Sequence, residues 1–137
     1  MINTIVDTSV WIDALNGKRT WQTDLLIQLI NENEPVVICP IIVQEILQGI
    51  KDDLHFVQVK DTLSGFDLLD IDALEAAYGA AALYRSIRKQ GITIRKSNDC
   101  LIAFYCIFHS SILLHNDEDF NKIALHTSLK IWKNPVQ

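Results

Sequence analysis

Short β-branched and aliphatic runs alternate along the whole chain with longer segments whose apolar residues recur at helical spacing. Residues 1–6 read as a buried strand that stops at Asp7. Residues 20–33 place Trp21, Leu25, Leu29 and Ile30 on one helical face, and 35–39 is a second strand. Pro40 suits the first turn of a helix, where its missing N–H is no loss. Behind it Val43, Ile46, Leu47 and Ile50 follow the i, i+3, i+4, i+7 pattern of a core-facing stripe, with Gly49 near the end. Residues 53–64 read as a further helix and 66–71 as a short strand. Asp72 is placed to cap a helix with Leu74, Ala77, Tyr78 and Ala81 as its apolar face, running to Lys89 and closed by Gly91. Residues 100–108 are apolar throughout, so periodicity cannot assign them. A polar Ser97 or Asn98 in the cap position and a strand-like run directly behind make 98–109 a buried helix. Residues 118–126 are helical, and 129–132 is a last strand.

Strands separated by helices imply parallel βαβ units with helices on both faces. The expected fold is therefore α/β, a three-layer α/β/α arrangement around a central, mostly parallel sheet, with residues 1–137 forming one domain. No internal repeat, linker or low-complexity stretch interrupts it. In such sheets the ligand crevice lies outside the carboxyl ends of the strands.

Composition narrows the class. Apolar residues make up 49% of the chain and charged ones 21%, which fits a globular domain and excludes collagen-like and low-complexity chains. No apolar run approaches the ~18 residues of a membrane span. The N-terminus lacks the basic start of an export signal, so a cytoplasmic location away from the membrane is expected. Cys39, Cys100 and Cys106 are odd in number, sit in apolar runs and lack metal-site spacing, so they read as small buried hydrophobes. The net charge of −5 argues against a nucleic-acid coating protein. Locally the sign reverses: Arg85, Arg88, Lys89, Arg95 and Lys96 form a basic stretch with no acid among them.

The candidate chemistry lies at the strand ends. Asp7 follows the first strand, Asp117 follows the strand at 112–115 by two residues, and Glu45 and Asp99 sit early in the helices behind residues 39 and 97. Asp119 lies two residues beyond Asp117. Each has an ordinary role open to it: Asp7 in a turn, Asp99 at a helix N-terminus, Asp117 or Asp119 as a cap, Glu45 on a solvated face. Together they converge on one crevice. Like charges 4 Å apart repel by ~4 kcal/mol at an effective dielectric near 20, unless a cation neutralises them. An all-oxygen donor set favours Mg²⁺ or Mn²⁺ over zinc. Metal-assisted hydrolysis of a phosphodiester is the chemistry such a site can perform.

Asp7-Thr8-Ser9-Val10-Trp11-Ile12 resembles the opening motif of PIN-domain ribonucleases. Val43-Gln44-Glu45-Ile46-Leu47-Gln48-Gly49, Asn98-Asp99-Cys100-Leu101-Ile102-Ala103 and Leu114-His115-Asn116-Asp117-Glu118-Asp119-Phe120 resemble their second, third and fourth motifs, in order and across nearly the whole chain. The size is similar to that of VapC-type toxins of toxin–antitoxin pairs. The resemblance implies a Mg²⁺- or Mn²⁺-dependent endoribonuclease with Asp7, Glu45, Asp99 and Asp117 as its acidic site. It implies products with a 5′-phosphate and a 3′-hydroxyl, a homodimer, and inhibition by a cognate antitoxin. The chain departs from the pattern at His115, where relatives often carry Ser or Thr, and at Asp119, which competes with Asp117 as fourth acid.

Other residues carry two readings. Thr8 and Ser9 either cap the helix after the first strand or help orient water or phosphate. The basic residues Arg85, Arg88, Lys89, Arg95 and Lys96 either complement a helix C-terminus or hold RNA phosphates. Trp11, Trp21 and Trp132 read first as core or dimer packing and second as base-stacking surfaces. His115 reads as structural before metal-binding, and Asp13 as a surface or dimer residue. Among rival functions, a phosphatase-like site lacks the second acid of D-x-D, because position 9 is Ser. A receiver-type domain lacks its late lysine. A non-catalytic module whose acidic pocket receives a basic peptide is the alternative outside enzymology.

Overall fold

The computed structural model describes residues 2–135; Met1, at the start of the first expected strand, lies outside the described residues. Five strands form one sheet: β1 (Thr4–Val6), β2 (Val36–Ile38), β3 (Asp67–Leu68), β4 (Ile112–Leu114) and β5 (Lys130–Ile131). Their order is β3-β2-β1-β4-β5 and each neighbouring pair is parallel. Thr4 is in register with Val36 on one side and Ile112 on the other, which makes β1 the central strand. The chain moves outward from β1 through β2 to β3, then crosses back to β4 and on to β5. With right-handed crossovers, that reversal puts helices on both faces, the three-layer α/β/α arrangement.

Among the described residues seven helices connect the strands: α1 (Thr8–Leu15), α2 (Trp21–Asn31), α3 (Pro40–Gln48), α4 (Asp53–Leu63), α5 (Ala73–Lys89), α6 (Ser97–Phe108) and α7 (Glu118–His126). β1 and β2 are buried along their whole length, as strands covered on both faces must be. Ile5, Val6, Val37, Ile38, Leu113 and Leu114 form the middle of the core, with Ile42 and Ile46 of α3, Ile102 of α6 and Phe120 of α7 packed around them. No helix among the described residues is long and apolar enough to cross a membrane. The three cysteines are free and buried.

The elements match the hydrophobic pattern, with differences at the edges. β3 and β5 are shorter than residues 66–71 and 129–132, because each is an edge strand with one neighbour to hold it. α6 begins at Ser97, with Lys96 rather than Ser97 or Asn98 in the cap position. The apolar face assigned to α5 is wrong. Leu74 and Tyr78 are 57% and 68% exposed, and Ala77 and Ala81 face solvent with them. The helix instead buries Ala76 and Ile87, with Leu83 packed against the core. An alanine-rich helix offers two stripes at helical spacing, and the small-residue stripe wins because it lets α5 approach α6.

Gly79 marks the tightest point of that approach. A Cβ built there would lie 2.1 Å from the Cζ atom of Phe104, with two further ring atoms within 2.4 Å. Phe104 is itself half-buried, and its ring centre lies 5.9 Å from that of Phe108 at a tilt of 49°. Gly79→Ala should gain up to ~1 kcal/mol in helix propensity and lose about 1–3 kcal/mol to overpacking. The expected net effect is a destabilisation of about 1 kcal/mol in denaturant unfolding, opposite in sign to a Gly→Ala change on an open helix face.

Candidate active site

Asp7 leaves the end of β1 and caps α1. Its backbone N–H donates to Leu114 O at 2.8 Å, which ties it to β4. Its Oδ2 accepts from the Ser9 N–H at 3.1 Å and from Ser9 Oγ at 2.6 Å. The cap is therefore Asp7, not Thr8 or Ser9, because the helix starts one residue earlier than a hydroxyl cap requires. Thr8 Oγ1 donates instead to Glu45 Oε1 on α3 at 2.7 Å. Ser9 Oγ accepts from the Asn116 N–H at 3.1 Å, linking α1 to the loop after β4.

Asp99, Asp117 and Asp119 form a tight group in which one carboxylate oxygen from each lies within 4.8 Å of the others. Asp99 comes from the first turn of α6, Asp117 caps α7, and Asp119 sits in the first turn of α7 with its N–H bonded to Asp117 Oδ1 at 3.0 Å. Asp99 is 3% exposed and Asp119 1%. The close trio thus includes Asp119 beside Asp117. Asp7 and Glu45 stand outside it, although the Asp7 charge acts on Asp99 and that of Glu45 acts on Asp7.

The basic stretch divides in two. Lys96 Nζ is 2.7 Å from Asp117 Oδ2, and Arg95 reaches Asp119 Oδ2 through Nε at 3.3 Å and Asp117 through a terminal nitrogen at 3.6 Å. Lys122, one turn along α7, adds a contact at 3.6 Å to Asp119 Oδ1. Arg85, Arg88 and Lys89 lie exposed on α5 and make no ion pair with the acids among the described residues. Arg85 and Arg88 line a separate hollow with Tyr84 that opens on Ser97 and Asn98, and the Arg88 guanidinium lies 5.5 Å from the Tyr84 ring centre.

Burial raises the Asp99 carboxyl to about 7; Asp7, Asp117 and Asp119 push the same way and Lys96 pulls against them. Asp7 is also raised by burial, which outweighs its hydrogen bonds from Ser9. Burial opposes ionisation of Asp117 too, but its hydrogen bonds from Lys96 and the Asp119 N–H, with the Lys96 and Arg95 charges, hold it below the ordinary carboxylate range. Its partner Lys96 is raised, chiefly by the same hydrogen bond. His115 is lowered by burial. Its Nδ1 accepts from the Asp117 N–H at 3.1 Å and its ring lies 5.3 Å from Phe120, so it supports the loop.

Asp99 Oδ2 and Asp119 Oδ1 are buried without a hydrogen-bond partner among the described residues. Buried carboxylate oxygens without hydrogen bonds in an all-oxygen cluster fit a hard divalent cation, which satisfies several acceptors at once. Sequence reading missed Asn116 and Lys122. Asn116 Nδ2 reaches Asp13 Oδ2 at 3.4 Å, giving Asp13 a place in the same network. Lys122 was legible in principle, since three residues separate it from Asp119 on one helix.

The family model for the PIN domain matches residues 4–125. Among curated relatives, the VapC ribonuclease Mb1587 of Mycobacterium bovis is 32% identical over 127 residues, which cover 92% of this chain and 95% of its own. Ribonuclease VapC11 of Mycobacterium tuberculosis matches to the same extent. Among solved structures, VapBC2 from Rickettsia felis bound to a promoter DNA fragment contains a chain of the same fold, with TM-score 0.76, 20% identity and coverage of 96% of this chain and 100% of that one. VapBC-1 from nontypeable Haemophilus influenzae gives TM-score 0.74 at 18% identity, covering 96% and 98%. The chain belongs to the PIN-domain family, in the VapC-type group that its relatives represent.

A raised carboxyl gives a signed expectation for the metal-free protein. Asp99 supports folding below its unfolded value near 3.8, and that support is lost as the pH rises through about 7. In chelator, Asp99→Asn should therefore be more stable than the parent at pH 8, by up to about 4 kcal/mol. The gap should close toward pH 4. Thermal unfolding at several pH values checks this, and a gap that does not change with pH would refute it.

Proposed function

We propose that the protein is a metal-dependent endoribonuclease and the toxin component of a VapBC-type toxin–antitoxin module. The observation that carries the reading is the pair of buried carboxylate oxygens without a hydrogen bond on Asp99 and Asp119, beside Asp117, at the reversal of strand order in a PIN-family sheet. The M. bovis and M. tuberculosis relatives named as VapC ribonucleases support the substrate class. The VapBC neighbours support a cognate antitoxin as partner.

In this reading Asp99, Asp117, Asp119 and Asp7 hold Mg²⁺ or Mn²⁺, directly or through water. A divalent cation held by these residues would supply charge to neutralise a phosphate oxygen and would acidify a water. Glu45 either binds metal or holds the attacking water, and Thr8 fixes its rotamer. Ser9 keeps Asp7 oriented toward the cluster while tying it to Asn116. Lys96 and Arg95 balance the acids in the free protein and are placed to meet RNA phosphates, with Arg85, Arg88 and Lys89 extending the positive track along α5. The exposed Leu74 and Tyr78 give α5 an apolar face for a second copy, consistent with a homodimer. The setting is the cytoplasm.

Purified protein incubated with total RNA should make discrete cuts in Mg²⁺ or Mn²⁺ and none in EDTA. Asp99→Asn or Asp7→Asn should lower cleavage at least a hundredfold with the fold intact by circular dichroism, since each removes an anionic metal ligand. Undiminished cutting by the Asp99→Asn protein, or full activity in EDTA, would overturn the reading.

A further inference from the structure

A cavity of about 480 Å³ adjoins the acidic group and shares Asp117 with it. It opens between the N-terminus of α2, the β4–α7 turn and the segment after β5. Its size is within the ~300–1,000 Å³ usual for small-molecule sites. Two half-buried indoles, Trp21 and Trp132, line it. Trp132 is fixed, because its Nε1–H donates to Thr4 Oγ1 at 3.1 Å and its backbone N–H to Leu113 O at 2.9 Å. Polar groups share the lining with the indoles. Gln22 is 8% exposed, and its side chain has no hydrogen-bond partner among the described residues, so its amide is both sheltered and uncommitted. Asn121 and His115 line the same space. The Asp117 N–H donates to His115 Nδ1, which leaves the proton of the neutral ring on Nε2.

The charge of the cavity selects its ligand. Asp117 is already paired with Lys96 and Arg95, and Glu118 and Lys133 offset each other in the lining, so the cavity offers no cluster of cations for a phosphate. A neutral, flat group with donors and acceptors on its edge fits the lining instead. Aromatic faces with amides between them are how proteins hold the splayed bases of single-stranded RNA. Resting on the ribonuclease reading above, we propose that this cavity is a nucleobase pocket. It takes the base of a nucleotide flanking the scissile phosphate, with stacking on Trp21 and Trp132 and edge recognition by Gln22 and Asn121. The pocket sets which base is tolerated at that position, while the acidic group performs the cut.

Nucleoside 5′-monophosphates test the pocket without cleavage. Labelled protein in Mg²⁺ is titrated with each of the four, and with inorganic phosphate, while the indole and side-chain amide signals of Trp21, Gln22 and Asn121 are followed. The expected result is that one base moves these signals at a concentration roughly tenfold below the others, and that Gln22→Ala removes most of that preference. Sequencing of RNA ends produced by the parent and by Gln22→Ala should then give a base preference beside the cut that relaxes by a similar factor. Signals that move equally for all bases, move with phosphate alone, or do not move would overturn the pocket, even in a protein that cleaves RNA; an unmoved cavity would be left to a protein segment. Base-selective shifts without cleavage of any RNA would uphold the pocket and overturn the ribonuclease reading instead. Trp21→Phe, which keeps an aromatic face, should retain the selectivity where Trp21→Ala loses it.

Discussion

Carboxylates that repel one another are held together here because the backbone leaves them no choice. Parallel strands bring their carboxyl ends to one edge of the sheet, and the helices that follow begin at that edge. Asp7 lies at the end of β1, Asp99 in the first turn of α6, and Asp117 and Asp119 at the start of α7. Burial keeps water from screening them, so Asp7 and Asp99 hold their protons to higher pH, Asp99 up to about 7. The core around Ile5, Val37 and Leu113 supplies the free energy that sustains this arrangement.

The site also limits its own repulsion. Helix N-termini favour negative charge, and all four acids sit at one: Asp7 and Asp117 as caps, Asp99 and Asp119 in a first turn. Cations from the loop before α6 and from α7 meet the acids on the solvent side. These pairs are partly exposed and weak individually, so they compensate the charge without locking the cluster against a competing divalent ion. A stronger, buried pair would have done the opposite.

Much of this was legible in the sequence for a physical reason. A fully buried parallel sheet needs continuous apolar runs, and residues such as Val36–Ile38 and Ile112–Leu114 leave no other use for themselves. The acids were legible because strand ends are visible once strands are. What stayed hidden depends on contacts between elements remote in sequence. The outward face of α5 could not be read, because its alanines fit either stripe and the decision belongs to Phe104. Nor could the split among the basic residues, since Arg95 and Lys96 differ from Arg85 and Arg88 in what lies across from them. Thr8 looked like a cap and serves Glu45, a partner 37 residues away.

The seat of Phe104 on Gly79 has a mechanical meaning. A ring resting on a residue without a side chain acts as a detent: it stops α6 from sliding along α5. Five residues of α6, roughly 7.5 Å of stiff helix, separate Phe104 from Asp99. An axial slip at the detent would reach the carboxylate undiminished, because a helix transmits translation along its axis without absorbing it. The alignment of the acids is therefore gauged from outside the crevice, by a hydrocarbon contact with no polar atom in it.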